Sequence, residues 1–506
     1  MYDEPSSDHE TAGRAVDAAG NDGPGHPANL LAWFVIILIC ASIALLLQGA
    51  AGEDAEAPDE PGAALVMTEL VARYGVGAAR FVDPEGVYEG MKPQLNLGSV
   101  AQRQRFVIFA ADLAGPAEAR DVLEQLDELI GDVRAGREEG DPPVMRESEE
   151  RVHELLHRLY GSQVDVDGEP VIALDALSET ERQFLRDELG WFGKLALTPE
   201  NLVSTEERRE LIRSAQRVTF GVIGGITALI LIGMAGVVLL VIVVIGFGKQ
   251  NLQWRYRPGS GVTSVYAETF ALWLLLHFGL QFLVQIIVAQ TGADAYAFAL
   301  SIMAFFTGLT ALFWPIIRGV PWRVVREDTG LTLGRRPTLE PLIGVAGYAM
   351  GLPILVAGLV CTMLLMMLAG LLAEPPSPLS PGASPAHPVA LQIGEADIWV
   401  KLQIFIVAAV AAPIVEEIMF RGVLYRNLRQ SSRRFGREMS IVVSVLVSAF
   451  VFAIVHPQGW MGVPALMSLS IVFALVREWR DTVIPAIVIH AISNAIVVGG
   501  LIYLFS

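Results

Sequence analysis

Only two of the 506 residues are cysteine, and both, Cys40 and Cys361, sit in apolar runs. That excludes a disulfide framework and a cysteine-built metal site, and it leaves two small buried hydrophobes. Charge is scarce as well, at 18% of residues, and its basic part is the smaller: 36 Lys and Arg against 54 Asp and Glu. No clustered basic face is available to grip a phosphate backbone, so nucleic acid is excluded as a partner. In place of charge the chain has 53% hydrophobic residues and a mean hydropathy of +0.48. That is too apolar for a soluble protein and too long for one ordinary domain.

The acid is unevenly spread. Residues 1–29 carry one basic and six acidic residues, and residues 52–215 carry 17 basic and 35 acidic. The remainder is mildly basic. Residues 1–29, rich in Asp, Gly, Ala and Pro, predict a disordered acidic tail. Residues 30–51 are long enough to span a bilayer and lack the basic flank of a secretory signal, which predicts an anchor helix rather than a cleaved peptide. Residues 52–215 contain no spanning run. They show helical periodicity instead, as in Val122-Leu123-Leu126-Leu129-Ile130, Val152-Leu155-Leu156-Leu159 and Phe184-Leu185-Leu189, interrupted by breaks such as GREEGDPP. The pattern predicts a small all-helical soluble domain with no legible role.

From residue 219 the chain becomes a series of spans, at 219–248, 265–290, 295–317, 341–372, 398–425, 440–456, 463–478 and 482–505. With the anchor these make nine, numbered here in chain order. The expected fold is an all-α polytopic membrane protein, a core of about eight helices over 219–506 preceded by the anchor and the soluble domain. Linkers rich in Arg (249–261, 318–340 and the stretch after 425) alternate with linkers that have no Lys or Arg (291–294, 374–397 and 457–462). The positive-inside rule places the basic set in the cytoplasm and residues 52–215 outside it. An integral protein of a bacterial cytoplasmic membrane is expected, with the lipid bilayer as its constant partner.

The sixth span reads KLQIFIVAAVAAPIVEEIMFRGVLYRNLR. Two glutamates stand deep in it, where each buried charge costs about 2.5–3.5 kcal/mol. Glu417 and Arg421 are four apart and share a face, so they can pair. Glu416 lies about 100° around the helix from Glu417 and is the less neutralised carboxylate. It has the character of a general base. The competing reading is a Glu–Arg network that only fastens helices.

The seventh span ends FVFAIVHPQ, with Phe452 and His456 on one face, and the ninth reads IPAIVIHAISNAIVV, with His490 and Asn494 on one face. Glutamate can deprotonate a water, histidine can orient it, and His plus Asn can donate to an oxyanion. The same residues also form a permissible zinc set, Glu416, His456 and His490 with water in an open position.

EExxxR at Glu416–Arg421, FxxxH at Phe452–His456 and HxxxN at His490–Asn494, in that order on successive spans, resemble the CPBP intramembrane proteases. That family joins type II CAAX prenyl proteases with bacteriocin-processing enzymes and is also called Abi. The resemblance covers about residues 398–500 and not residues 1–215. It implies Glu416 as the base activating water beside His456, Glu417 and Arg421 as a supporting pair, and His490 and Asn494 as oxyanion donors. It further implies a glutamate-type endopeptidase with no cofactor, acting on membrane-associated or lipidated proteins or peptides. A non-catalytic scaffold or immunity protein and a proton-coupled transporter are the rival readings, and oligomeric state is not legible.

Depth is the point of tension. At 1.5 Å per residue Glu416 falls about 15 Å from the end of its span and His490 about 12 Å, but His456 about 24 Å. Weaker signals are a polar stripe of His277, Gln281 and Gln285 in the third span, read as interhelical bonding or cavity lining, and a small-residue motif at Gly221 and Gly225. The stretch PSPLSPGASPAHP is expected to be an extended loop.

Overall fold

The computed structural model describes residues 26–49, 62–135, 145–161, 171–199, 206–259, 264–372, 379, 392–394 and 396–505. Most of the acidic tail, the GREEGDPP break and most of the Pro-rich linker lie outside these residues. Among the described residues the regular structure is helical, without a strand. Nine helices there are long and apolar enough to cross a membrane: Pro27–Leu46, Glu206–Gly248, Ser264–Thr291, Asp294–Ile317, Leu339–Leu372, Ile398–Ser431, Arg437–Ile454, Gly459–Arg480 and Ile484–Leu504. This is an all-α polytopic membrane protein.

Several boundaries differ from those read by hydropathy, first at the anchor and the second span. The anchor helix begins at Pro27, since proline suits a first turn whose N–H groups lack helical partners. The second span has no break before it. A helix of 43 residues runs from Glu206 through to Gly248, because nothing in EERRELIRSAQRVTF stops a helix.

The chain divides into two compact units, one of Met1–Ala55, Leu229–Leu371 and Ala396–Gly500, the other of Glu56–Ala228, Leu372–Glu395 and Leu501–Ser506. In the second, helical unit the apolar stripes point inward. Val122, Leu123, Leu126, Val152, Leu155, Leu156, Leu159, Leu185 and Leu189 are all buried. Local caps set the helix starts: Ser99 pairs reciprocally with Gln102, and Ser178 with Glu181. Of the motif Gly221–Gly225, a Cβ at Gly221 would lie 2.7 Å from the Tyr503 ring, while Gly225 faces open space.

The membrane unit packs around Phe270, Trp273, Phe420, Phe452 and Phe473. The fifth span approaches the ninth closely at Gly344 and Gly347, where a Cβ would meet Val488 at 2.5 Å and Ile489 at 2.7 Å. Only glycine permits that approach, and it fixes the helix that carries His490.

Buried ion pairs tie the same unit together: Arg426 to Asp328 at 2.9 Å, Arg429 to Glu478 at 3.0 Å and Arg480 to Glu340 at 2.7 Å. Arg426 and Arg429, expected in a loop after residue 425, are helical and buried. Their carboxylate partners remove the cost that hydropathy charged against them, so the helix continues to Ser431.

The sixth span is not one uniform helix. It alternates an α segment Ile398–Ile406, a π turn Val407–Ala411, an α segment Ala412–Glu417, a second π turn Ile418–Leu424 and a final α segment Tyr425–Ser431. Pro413 accounts for the first π turn. It has no N–H for the carbonyl one turn back, and the wider turn accommodates the loss. The glutamate pair stands between the two π turns.

Candidate active site

Helix position separates the two glutamates. Glu417 is completely buried, and its Oε1 accepts from Arg421 Nη1 at 3.0 Å and from His490 Nδ1 at 3.0 Å. Because the carboxylate can only accept, His490 must carry its proton on Nδ1 toward Glu417. Arg421 is equally buried. It donates from Nη2 to the Ser470 backbone carbonyl at 3.2 Å and hydroxyl at 2.5 Å. Its guanidinium lies over the rings of Phe452 and Phe473, at 4.6 and 4.8 Å. Glu417, Arg421 and Ser470 therefore form a dry, charge-paired support, in which Glu417 Oε2 and Arg421 Nε are left without hydrogen-bond partners.

Glu416 has a different environment. Its side chain is 14% exposed, and its Oε2 faces His456 Nε2 across 3.6 Å, too long for a direct hydrogen bond. That oxygen is itself buried and has no hydrogen-bond partner. His456 directs Nδ1 to the Phe452 carbonyl at 2.6 Å. The carbonyl accepts, so the proton on Nδ1 is fixed and Nε2 is left facing the carboxylate. The gap between Oε2 and Nε2 is bordered by one side chain that can take a proton and another that can hold a water.

Phe452 forms the wall between the halves, with its ring centroid 4.2 Å from that of His456 and 5.7 Å from that of His490. Phe473 stacks on His490 at 5.0 Å. Asn494 donates from Nδ2 to the carbonyl of Ala408 at 2.7 Å, inside the first π turn. It thereby joins the ninth span to the sixth where the regular helical bonding is interrupted.

The structure thus joins Glu416 to His456, and Glu417 to Arg421 and His490. It does not bring His490 onto Glu416 as a shared ligand. The tension over depth is answered by the contacts themselves, since Glu416 faces His456 at 3.6 Å and Glu417 bonds His490 at 3.0 Å. His277 also belongs here: it lies within electrostatic range of Glu416 and His456 and packs on Trp273 and Phe305. Gln285, of the same stripe, is exposed. Ser470 and Phe473 carry no motif and became visible only through the fold.

The fold and this cluster define a polytopic membrane protein with a paired-glutamate, two-histidine centre, three of its members on spans and His456 two residues past the end of the seventh. Residues 398–496 match the family model described as Type II CAAX prenyl endopeptidase Rce1-like. The matched segment contains all three motifs, and the match supports an intramembrane protease of the CAAX type. No curated protein and no solved structure matches the chain.

Proposed function

We propose that the protein is an intramembrane endopeptidase of the glutamate type, with Glu416 as general base. The observation that carries this reading is the Glu416 Oε2 atom facing His456 Nε2 across 3.6 Å, while its neighbour Glu417 is fully buried and bound through Oε1 to Arg421 and His490. A water held between Oε2 and Nε2 loses a proton to Glu416 as its oxygen attacks the scissile carbonyl carbon. The carbonyl oxygen becomes an oxyanion. Collapse then breaks the C–N bond, and Glu416 returns the proton to the departing amine.

His490 and Asn494 are the proposed oxyanion donors, through the Asn494 N–H not used by Ala408 and through His490 Nε2 in the imidazolium form, since Glu417 holds the Nδ1 proton. Preorganised donors of this kind contribute about 10²–10³ in kcat each. Arg421 with Glu417 acts as a positioning pair, holding His490 by its other nitrogen.

Donor geometry favours this over zinc catalysis. Glu416, His456 and His490 are not a group whose ligand atoms lie within 4.8 Å of one another, although such a group exists elsewhere among the described residues. The proposed substrates are membrane-embedded or lipid-modified polypeptides, because the base stands well inside its span. The arginine-rich linkers are proposed to face the cytoplasm, with residues 52–215 on the other side. Cleavage of prenylated and unmodified reporter peptides in proteoliposomes tests the proposal. Loss of turnover in Glu416→Gln with the fold intact is expected, and an active Gln variant would overturn it.

A further inference from the structure

The helical unit holds a second carboxylate–histidine cluster. The helix Pro116–Arg134 presents Asp127, and the helix Glu147–Leu156 with its π turn His157–Gly161 presents His153 and His157. His153 Nε2 lies 2.7 Å from Asp127 Oδ1, and His157 Nε2 lies 3.0 Å from Asp127 Oδ2. The two rings meet edge to face with centroids 4.9 Å apart. One ligand atom from each residue lies within 4.8 Å of the others, the one such group among the described residues.

A tetrahedral ion with ligand bonds of about 2.0–2.1 Å sets its donors about 3.3 Å apart, so little movement is needed to close on a cation. The three side chains are between 17% and 41% exposed, open enough for an ion to enter. The cluster would also stand as two imidazoles donating to one carboxylate, with no metal. Three observations count against that as the whole account. His153 Nδ1 is buried without a hydrogen-bond partner, so the imidazole is not fully satisfied. The helix widens into a π turn at His157, a feature common at functional sites. The run His153-Glu154-Leu155-Leu156-His157 has the H-E-x-x-H order, which puts two imidazoles on one helix face for zinc.

We propose that Asp127, His153 and His157 bind a divalent cation of the zinc class, through the two Nε2 atoms and a carboxylate oxygen. Two nitrogen donors suit zinc, cobalt or nickel, whereas calcium and magnesium require oxygen. Three protein ligands leave a fourth position open to water. Glu154 is exposed and is no ligand; in this sequence order the glutamate stands beside the metal-bound water. Binding displaces the protons from both Nε2 atoms to solvent.

Cobalt titration of the metal-stripped, full-length protein in detergent, followed by its visible ligand-field bands, tests the site. One equivalent of Co²⁺ should bind and be displaced by Zn²⁺. Asp127→Asn and His157→Gln should each weaken binding by at least ~10-fold, the lower bound for perturbing a metal site. Glu154→Gln and Glu416→Gln should leave it unchanged. Circular dichroism of each variant checks that the helices persist, and His153→Gln replaces any variant that loses them. Absence of the bands, or bands that survive loss of Asp127 and His157, overturns the proposal. Bands that vanish with Glu416→Gln overturn it too, by placing the cation in the membrane cluster.

Discussion

The two carboxylate–histidine clusters use the same kinds of residue and are arranged oppositely. In the membrane unit two adjacent glutamates are driven apart chemically: Glu417 is held through Oε1 by Arg421 and His490, and Glu416 faces His456 across a gap. In the helical unit one carboxylate is shared by two histidines whose donor atoms converge. The first arrangement separates a base from its support and leaves room for a small reactant. The second gathers three donors around one point, as a cation requires. What decides between water chemistry and metal binding is where the spare lone pairs point, rather than which residues are present.

The sharpest way to break the comparison is to neutralise the base. Glu416→Gln should lower kcat by about 10²–10⁴-fold, the range for a positioned general base, in a proteoliposome cleavage assay with the melting temperature unchanged. Neutralising Asp127 in the same assay should leave kcat as it is. Next in size is the support. Arg421→Met leaves Glu417 as an uncompensated buried charge and should cost about 3–5 kcal/mol in detergent unfolding. The double variant Glu417→Leu/Arg421→Met should recover most of that stability without recovering activity. Recovery of activity would show that the pair does no positioning.

Chelation sharpens the contrast further. Stripping divalent cations should abolish the cobalt signal of the helical unit while cleavage continues at an unchanged rate. Loss of cleavage would assign the metal to the chemistry instead.

The smallest effect is a pH dependence at the capping box. Arg158 first, then the backbone N–H and hydroxyl of Ser178, hold the Glu181 carboxyl at about 2, below its ordinary 4.5. A lowered value means stability that is present above pH 4.5 and lost as pH falls through about 2. Circular dichroism melts between those limits should show the helical unit weakening on acidification, with a shallower loss in Glu181→Gln.

Much of the membrane site was legible because it is built on local spacing. Glu417 and Arg421 pair as four-residue neighbours must, and Phe452 with His456 follows the same rule. His490 reaching Glu417 was not legible as a contact, since 73 residues separate them and nothing local records which face of the ninth span turns inward. The end of the sixth span was misplaced for a different reason. Hydropathy counts Arg426 and Arg429 as solvent-seeking, while Asp328 and Glu478 make them buried helix residues. In the helical unit the H-E-x-x-H run was present but incomplete, because its third donor, Asp127, lies on an earlier helix.

The π turns of the sixth span act as phase adjusters. Each holds one residue more than an α turn and rotates everything beyond it by about 100°. The stretch before Ile418 is indexed to the histidines of neighbouring spans, and the stretch after Leu424 is indexed to Asp328 and Glu478. A uniform helix could satisfy only one of these two alignments. The extra residue in Ile418–Leu424 is the joint that lets a single helix obey both.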